Sequence, residues 1–219
     1  MPDSLFYPYY TSVIFAFFAG LLMYKRHDVP ARVITLLLLI TAVSEYCCRI
    51  TVIRQQYDTR NAIYHVYNVV QAILLSAYFI YIIKPRYYQR YLVVCSLLWP
   101  VLGIANIVFF QPLPELNYNM LMLESLCFIT ASLYFIYLSL KNSKGTYLFS
   151  RPHFKLTGIL LTLWSTTFFF WSTIGILYQK QWKHTVVLMY AQTIFNILIY
   201  LAIAAVLFFY PKKAARENI

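Results

Sequence analysis

Among the polar and charged residues that fall inside otherwise apolar runs, eight could do chemistry: Glu45, Arg49, His65, Asn68, Gln71, Glu124, Gln192 and Asn196. A carboxylate in that setting is suited to a cation or an amine, and amide side chains both donate and accept hydrogen bonds. The spacing groups them. His65, Asn68 and Gln71 lie, with Asn61 and Tyr64, in the stretch 61–84, NAIYHVYNVVQAILLSAYFIYIIK. At about 100° per residue those five positions share a helical arc of roughly 120°. Glu45 and Arg49 stand at i, i+4, in the order that lets them neutralise each other on one helix face. Gln192 and Asn196 are likewise one turn apart. Buried polar groups need partners in an apolar medium, so the stripe in 61–71 must face other protein or a water-filled cavity.

Several chemistries find no support. A retinal Schiff base needs a lysine within the last helix, and the lysines nearest to it, Lys183 and Lys212, lie outside its apolar run. Arg60 and His65 match the R-x4-H spacing of one ribonuclease class, but the match is short and falls at a membrane surface, so no nucleic-acid partner is expected. Neither HExxH nor CxxC occurs among His27, His65, His153, His184 and the four cysteines, and no metal or other cofactor is implied. No Ser-His-Asp set is legible, and nothing argues for an enzyme. Cys47 and Cys48 are adjacent, point apart on a helix and imply no disulfide framework.

The surrounding elements are those of a membrane protein. Of 219 residues, 61% are hydrophobic and 11% charged, against about a quarter charged in soluble domains. Seven runs are long enough to span: roughly 9–24, 33–53, 62–83, 91–110, 119–140, 156–178 and 186–209. The cluster Phe6, Tyr7, Tyr9 and Tyr10 reads as an interfacial aromatic belt, and the repeated YFIY at 78–81 and 134–137 as aromatic anchors at two helix ends. Pro100 should kink the fourth run next to Gly103.

The net charge of +11 sits in short loops. On one side are Lys25, Arg26, Arg32, Lys84, Arg86, Arg90, Lys141, Lys144, Arg151, Lys155, Lys212, Lys213 and Arg216. On the other are only Arg49, Arg54, Arg60, Lys180 and Lys183. Positive-inside bias then places the N-terminus outside and the C-terminus in the cytoplasm. The MPDSLFYPYY start has no basic region or cleavage motif of a signal peptide, and the lack of an Asn-x-Ser/Thr sequon leans towards a bacterial origin. In this orientation Glu45, Arg49, Asn68, Gln71 and Glu124 lie in the outer half, with Gln192 and Asn196 between the outer surface and the centre. Glu124 has no base within reach on its own helix: it pairs with Arg49 across the bundle, hydrogen-bonds the stripe, or is protonated.

The pattern Asn61-x-x-Tyr64-His65-x-Tyr67-Asn68-x-x-Gln71, followed by Asn117 and Glu124-Ser125, resembles small seven-helix membrane proteins of bacteria found near sensor histidine kinases. Gln71 stands where that resemblance implies an acidic residue. The resemblance implies a sensory role without naming a ligand.

The expected fold is an all-α membrane protein: a seven-transmembrane helix bundle over 1–219, N-terminus outside, in a bacterial inner membrane. The expected function is a sensor whose outward-facing pocket, enclosed by Glu45, Asn68, Gln71, Glu124, Gln192 and Asn196, takes a small or lipid-derived ligand and signals through a separate protein. Lys84, Arg86, Lys141 and Lys144 would face that partner or anionic lipid. The alternative is a small-solute transporter or channel, although five glycines are few for a broken-helix site. The topology is directly testable. A reporter fused after Ile219 should read as cytoplasmic and one within 111–116 as external; the opposite pair of readouts would invert every depth assigned above.

Overall fold

The computed structural model describes residues 3–142, 148–179 and 185–211. Lys144, Lys180, Lys183, His184, Lys212, Lys213 and Arg216 lie outside the described residues. The described chain is helical and has no strand: α1 (Asp3–Leu22), α2 (Val29–Ile53), α3 (Tyr57–Ile82), α4 (Arg86–Phe109), α5 (Tyr118–Lys141), α6 (Pro152–Gln179) and α7 (Thr185–Phe208), with 3-10 turns at Tyr24–Arg26 and Leu148–Ser150. All but α6 are long and apolar enough, within the described residues, to cross a membrane. Helix α6 is 28 residues long.

Local chemistry sets where these helices start and stop. The Asp28 carboxylate accepts from the Ala31 N–H at 3.1 Å, and Pro30 sits in the first turn of α2. At its other end, the Gln56 N–H reaches back to the Thr51 carbonyl at 2.8 Å and the Gln55 N–H to Val52 at 3.0 Å. Gln55 has φ 59°, the left-handed position normally given to glycine in such a closure. The turn is therefore only three residues long, and α2 and α3 lie antiparallel against each other.

The helices form a ring in the order α1, α2, α3, α5, α6, α7, with α7 packed back on α1 and α4 on the outside against α3. Apolar side chains cannot drive helix association in lipid, so close approach and hydrogen bonding must. Buried small residues supply the approach: Ala16, Ala19, Ala31, Ala42, Ala72, Ala131 and Ala204. At Gly20 a Cβ would stand 2.6 Å from Thr35 Oγ1, and at Gly103 a Cβ would stand 2.6 Å from Val69 Cγ2. These glycines set the α1–α2 and α3–α4 spacings. Pro100 lies within α4, which runs unbroken from Arg86 to Phe109.

Two expectations need correction. Helix α1 starts at Asp3, six residues before the apolar run suggested, and it takes in the aromatic cluster. Phe6 and Tyr9 are buried while Tyr7 is exposed, so only part of that cluster faces outward. In the first YFIY, Tyr78 and Phe79 are core residues with 0% exposure rather than surface anchors.

Gly20→Ala should destabilise the bundle by about 1–3 kcal/mol, because the Thr35 side chain is branched and buried. Thr35→Ala, which removes the two closest atoms and only a same-helix hydrogen bond to Ala31, should restore most of that loss in detergent melting.

Candidate functional site

Glu45 is the meeting point of three helices. Its half-buried carboxylate accepts from the Tyr9 hydroxyl of α1 at 3.1 Å and from the Tyr64 hydroxyl of α3 at 3.2 Å. Both bonds are long for hydroxyl-to-carboxylate contacts, so each stands at the modest end of charge-assisted strength, roughly 1.5 kcal/mol. One turn back on α2, Thr41 shares a 2.9 Å hydrogen bond with the Tyr67 hydroxyl. Tyr9 meets Tyr200 of α7 edge-on at 5.8 Å between ring centroids. Arg49, placed by sequence to neutralise Glu45, carries its guanidinium over the Phe6 ring at 4.8 Å.

The stripe on α3 divides its work. Asn61 donates to the Pro114 carbonyl, and His65 Nε2 lies 3.3 Å from the Glu115 carbonyl. These two residues hold the α4–α5 connection against the bundle. Asn106 adds a 2.9 Å bond to Asn117, and Gln111 accepts from the Asn119 N–H at 3.0 Å. His65 is thus an anchor of backbone. Asn68 is 2% exposed and its amide nitrogen has no hydrogen-bond partner among the described residues. Gln71 is half-buried.

Glu124 is fully buried on α5, at 0% exposure, and neither carboxyl oxygen has a partner among the described residues. The Phe79–Phe128 contact sets an offset of 49 residues between the parallel helices α3 and α5, which places Glu124 near the level of position 75. One turn on, Phe128 forms an aromatic layer with Phe79, Trp99 and Trp164, at 6.0, 6.1 and 5.2 Å between centroids. Ser132 Oγ and Trp164 Nε1 are also buried without partners among the described residues. A charge on Glu124 would stand uncompensated, at a cost of several kcal/mol. The group therefore requires a proton, a cation or a donor.

Gln192 and Asn196 turn to each other: Gln192 Nε2 donates to Asn196 Oδ1 at 3.2 Å, and both are half-buried. Among the described residues no hydrogen bond joins this pair to Glu45, Asn68, Gln71 or Glu124. A groove of about 420 Å³ opens between α2 and α3, walled on α3 by Thr59, Ala62, Ile63, Val66, Tyr67 and Val70. Ile40 and Ser44 of α2 form its other side. None of the eight residues picked from the sequence lines it; Glu45 is instead bonded to Tyr9 and Tyr64, and Glu124 is buried within the bundle.

A second polar cluster ties the opposite ends of the helices. His153 at the start of α6 places Nε2 2.7 Å from Asp28 Oδ2, and the Tyr210 hydroxyl stands 3.0 Å from the same nitrogen. His27 Nε2 donates to the Leu207 carbonyl at 3.0 Å, and its ring meets Tyr210 edge-on at 5.0 Å. Tyr78 closes the set through Thr157 at 3.3 Å. Burial works against the Asp28 charge, yet the His153 contact, the Ala31 N–H and the Tyr210 hydroxyl together hold its carboxyl below the usual range. Burial also pushes His27 down and Tyr210 up. Sequence reading missed this cluster. The available signal was Asp28 itself, an acidic residue inside the basic loop Lys25–Arg32 and just ahead of Val29-Pro30. The sequence reading gives Tyr9 to the interfacial belt and Tyr67 to the α3 pattern without a partner for either, and it does not single out Tyr200.

No family model, curated protein or solved structure compared with this chain matches it.

The histidine end has a defined pH response. Burial disfavours the charged form of His27, whose Nδ1 has no partner among the described residues, so its folded value lies below the ordinary 6.5. Between those two values the unfolded chain binds more protons, and stability must fall as pH drops through that window. His27→Gln keeps a donor for Leu207 and cannot charge. Its melting temperature should fall less than that of the unsubstituted protein as pH is lowered from 7 towards 5.

Proposed function

We propose that the chain is a sensory membrane protein: seven spans with α6 as one of them, N-terminus outside, C-terminus in the cytoplasm of a bacterial cell, and an interior site for a small or lipid-derived ligand. The observation that carries this reading is the unspent hydrogen-bonding capacity inside the ring. Glu124 offers two carboxyl oxygens, and Asn68 and Trp164 offer N–H donors, all buried and unpartnered among the described residues. Buried polar groups are as a rule hydrogen-bonded; groups that the described protein does not partner suit a ligand carrying an amine or hydroxyl. The apolar stretch of α6 from Leu156 to Tyr178 holds no charged residue, which supports a seventh span. The asymmetric distribution of Lys and Arg supports the orientation. The described helices leave only short connections, so the signal would pass as helix movement to a separate protein, as the resemblance to proteins near histidine kinases implies. Lys84, Arg86 and Lys141 lie on the side where that partner would dock.

A buried protonatable carboxyl is also what a proton-coupled transporter would use, and Glu124 therefore keeps that reading in play. Flux of solute or protons in liposomes separates the two: a sensor binds without net flux.

Glu124 variants test the site. If the unpaired carboxyl is maintained for binding, Glu124→Leu should melt higher than the empty protein by the equivalent of about 1–3 kcal/mol, since an unsatisfied buried group is removed. The same variant should lose any small molecule that co-purifies in native mass spectrometry, and Glu124→Gln should retain it poorly. A Glu124→Leu protein that melts lower and keeps the same bound mass would reject the interior site.

A further inference from the structure

The ends of α3 and α5 nearest the α4–α5 connection hold buried donors of their own. On α3, Asn61 and Phe79 are eighteen residues apart and stand at one angle round the helix, and Asn68 lies about 20° from them. Phe79 meets Phe128 of α5, and Asn61 meets Pro114 just ahead of α5, so Asn68 faces α5 as well. The offset of 49 residues puts Asn68 level with Asn117, which stands at the start of α5. Gln111 reaches the same level, because its Oε1 accepts from the Asn119 N–H at 3.0 Å. That bond fixes which end of the Gln111 amide is the nitrogen.

The acceptors in this corner are engaged. The Pro114 and Glu115 carbonyls meet Asn61 and His65, Asn117 Oδ1 accepts from Asn106, and Gln111 Oε1 accepts from Asn119. Two donors are not. Asn68 Nδ2 and Gln111 Nε2 have no partner among the described residues, on side chains that are 2% and 1% exposed. Asn117 gives no side-chain cap to α5, a 24-residue helix whose positive dipole end lies at this level. Two buried amide donors beside a helix N-terminus suit an acceptor that carries negative charge. Both nitrogens are shielded from solvent, which limits the occupant to a small one. Arg60, bonded to Asn61 Oδ1 at 3.1 and 2.9 Å, adds positive charge on this face. Glu115, with an exposed side chain, and Glu124, about two turns deeper, oppose an anion when ionised.

We propose that this corner is a site for a small monovalent anion, held by Asn68 Nδ2, Gln111 Nε2 and the N-terminus of α5. A halide and a formate-sized carboxylate share that chemistry. The anion site does not depend on Glu124 binding anything.

The test uses the full chain in mild detergent at one pH and constant ionic strength, with gluconate replaced stepwise by chloride or by formate. The melting temperature should rise saturably with the anion, by about 3 °C at roughly ten times the half-saturating concentration. Whichever anion saturates at the lower concentration identifies the source. Asn68→Leu and Gln111→Glu should each weaken the apparent affinity by about tenfold or more. Gln111→Glu keeps an acceptor for the Asn119 N–H, so the test stays open if Asn68→Leu fails to fold. Glu124→Gln should keep the response, which separates this site from the interior one. Melting that is indifferent to chloride and formate means that water fills the corner, and it overturns the proposal. A response that survives both donor substitutions, or one that Glu124→Gln abolishes, overturns it as well.

Discussion

A carboxylate inside a lipid-facing bundle has to be met by donors from other helices, and Glu45 is met from two. Tyr9 and Tyr64 bring α1 and α3 onto α2 at one level, and Tyr67 with Thr41 repeats the α2–α3 link a turn away. In a medium where apolar packing gives no preference for one neighbour over another, such directional contacts select the arrangement of helices. The small residues and the two close-approach glycines then let the backbones come near enough for those hydroxyls to reach.

The other end of the bundle is held differently. There a hydrogen-bonded pair, Asp28 and His153, joins the starts of α2 and α6, and Tyr210 and His27 bring in the end of α7. One aspartate thus caps its own helix and binds a second. Between these two polar ends, the aromatic layer around Phe128 fills the centre. Glu124 sits one turn from that layer. Both its carboxyl oxygens lack a partner among the described residues.

That contrast organises the functional proposal. Polar groups fully spent on the protein, such as Asn61, His65 and Glu45, shape the bundle. Polar groups left unspent, Glu124 and Asn68 above all, are available to something else. The groove between α2 and α3 is a third kind of surface, walled mainly by alkyl groups, and it shares Tyr67 with the Thr41 bond one turn from Glu45.

The sequence by itself determined the helical membrane class, the placement of the apolar runs to within a few residues, and the burial of Asn68 and Glu124. Hydrophobicity and length act locally, and a strongly polar residue in a greasy run has few places to go. It also marked the stripe 61–71 as facing protein. It did not show that Asn61 and His65 spend themselves on the α4–α5 loop, that Arg49 turns to Phe6, or that Gln192 and Asn196 bond to each other. Nor did it reveal the Asp28–His153–Tyr210 contact, whose members lie 125 and 57 residues apart. Only the tertiary structure decided those partners, because a side chain's type fixes what it must bond with while the crossing and registration of the helices fix which group is within reach.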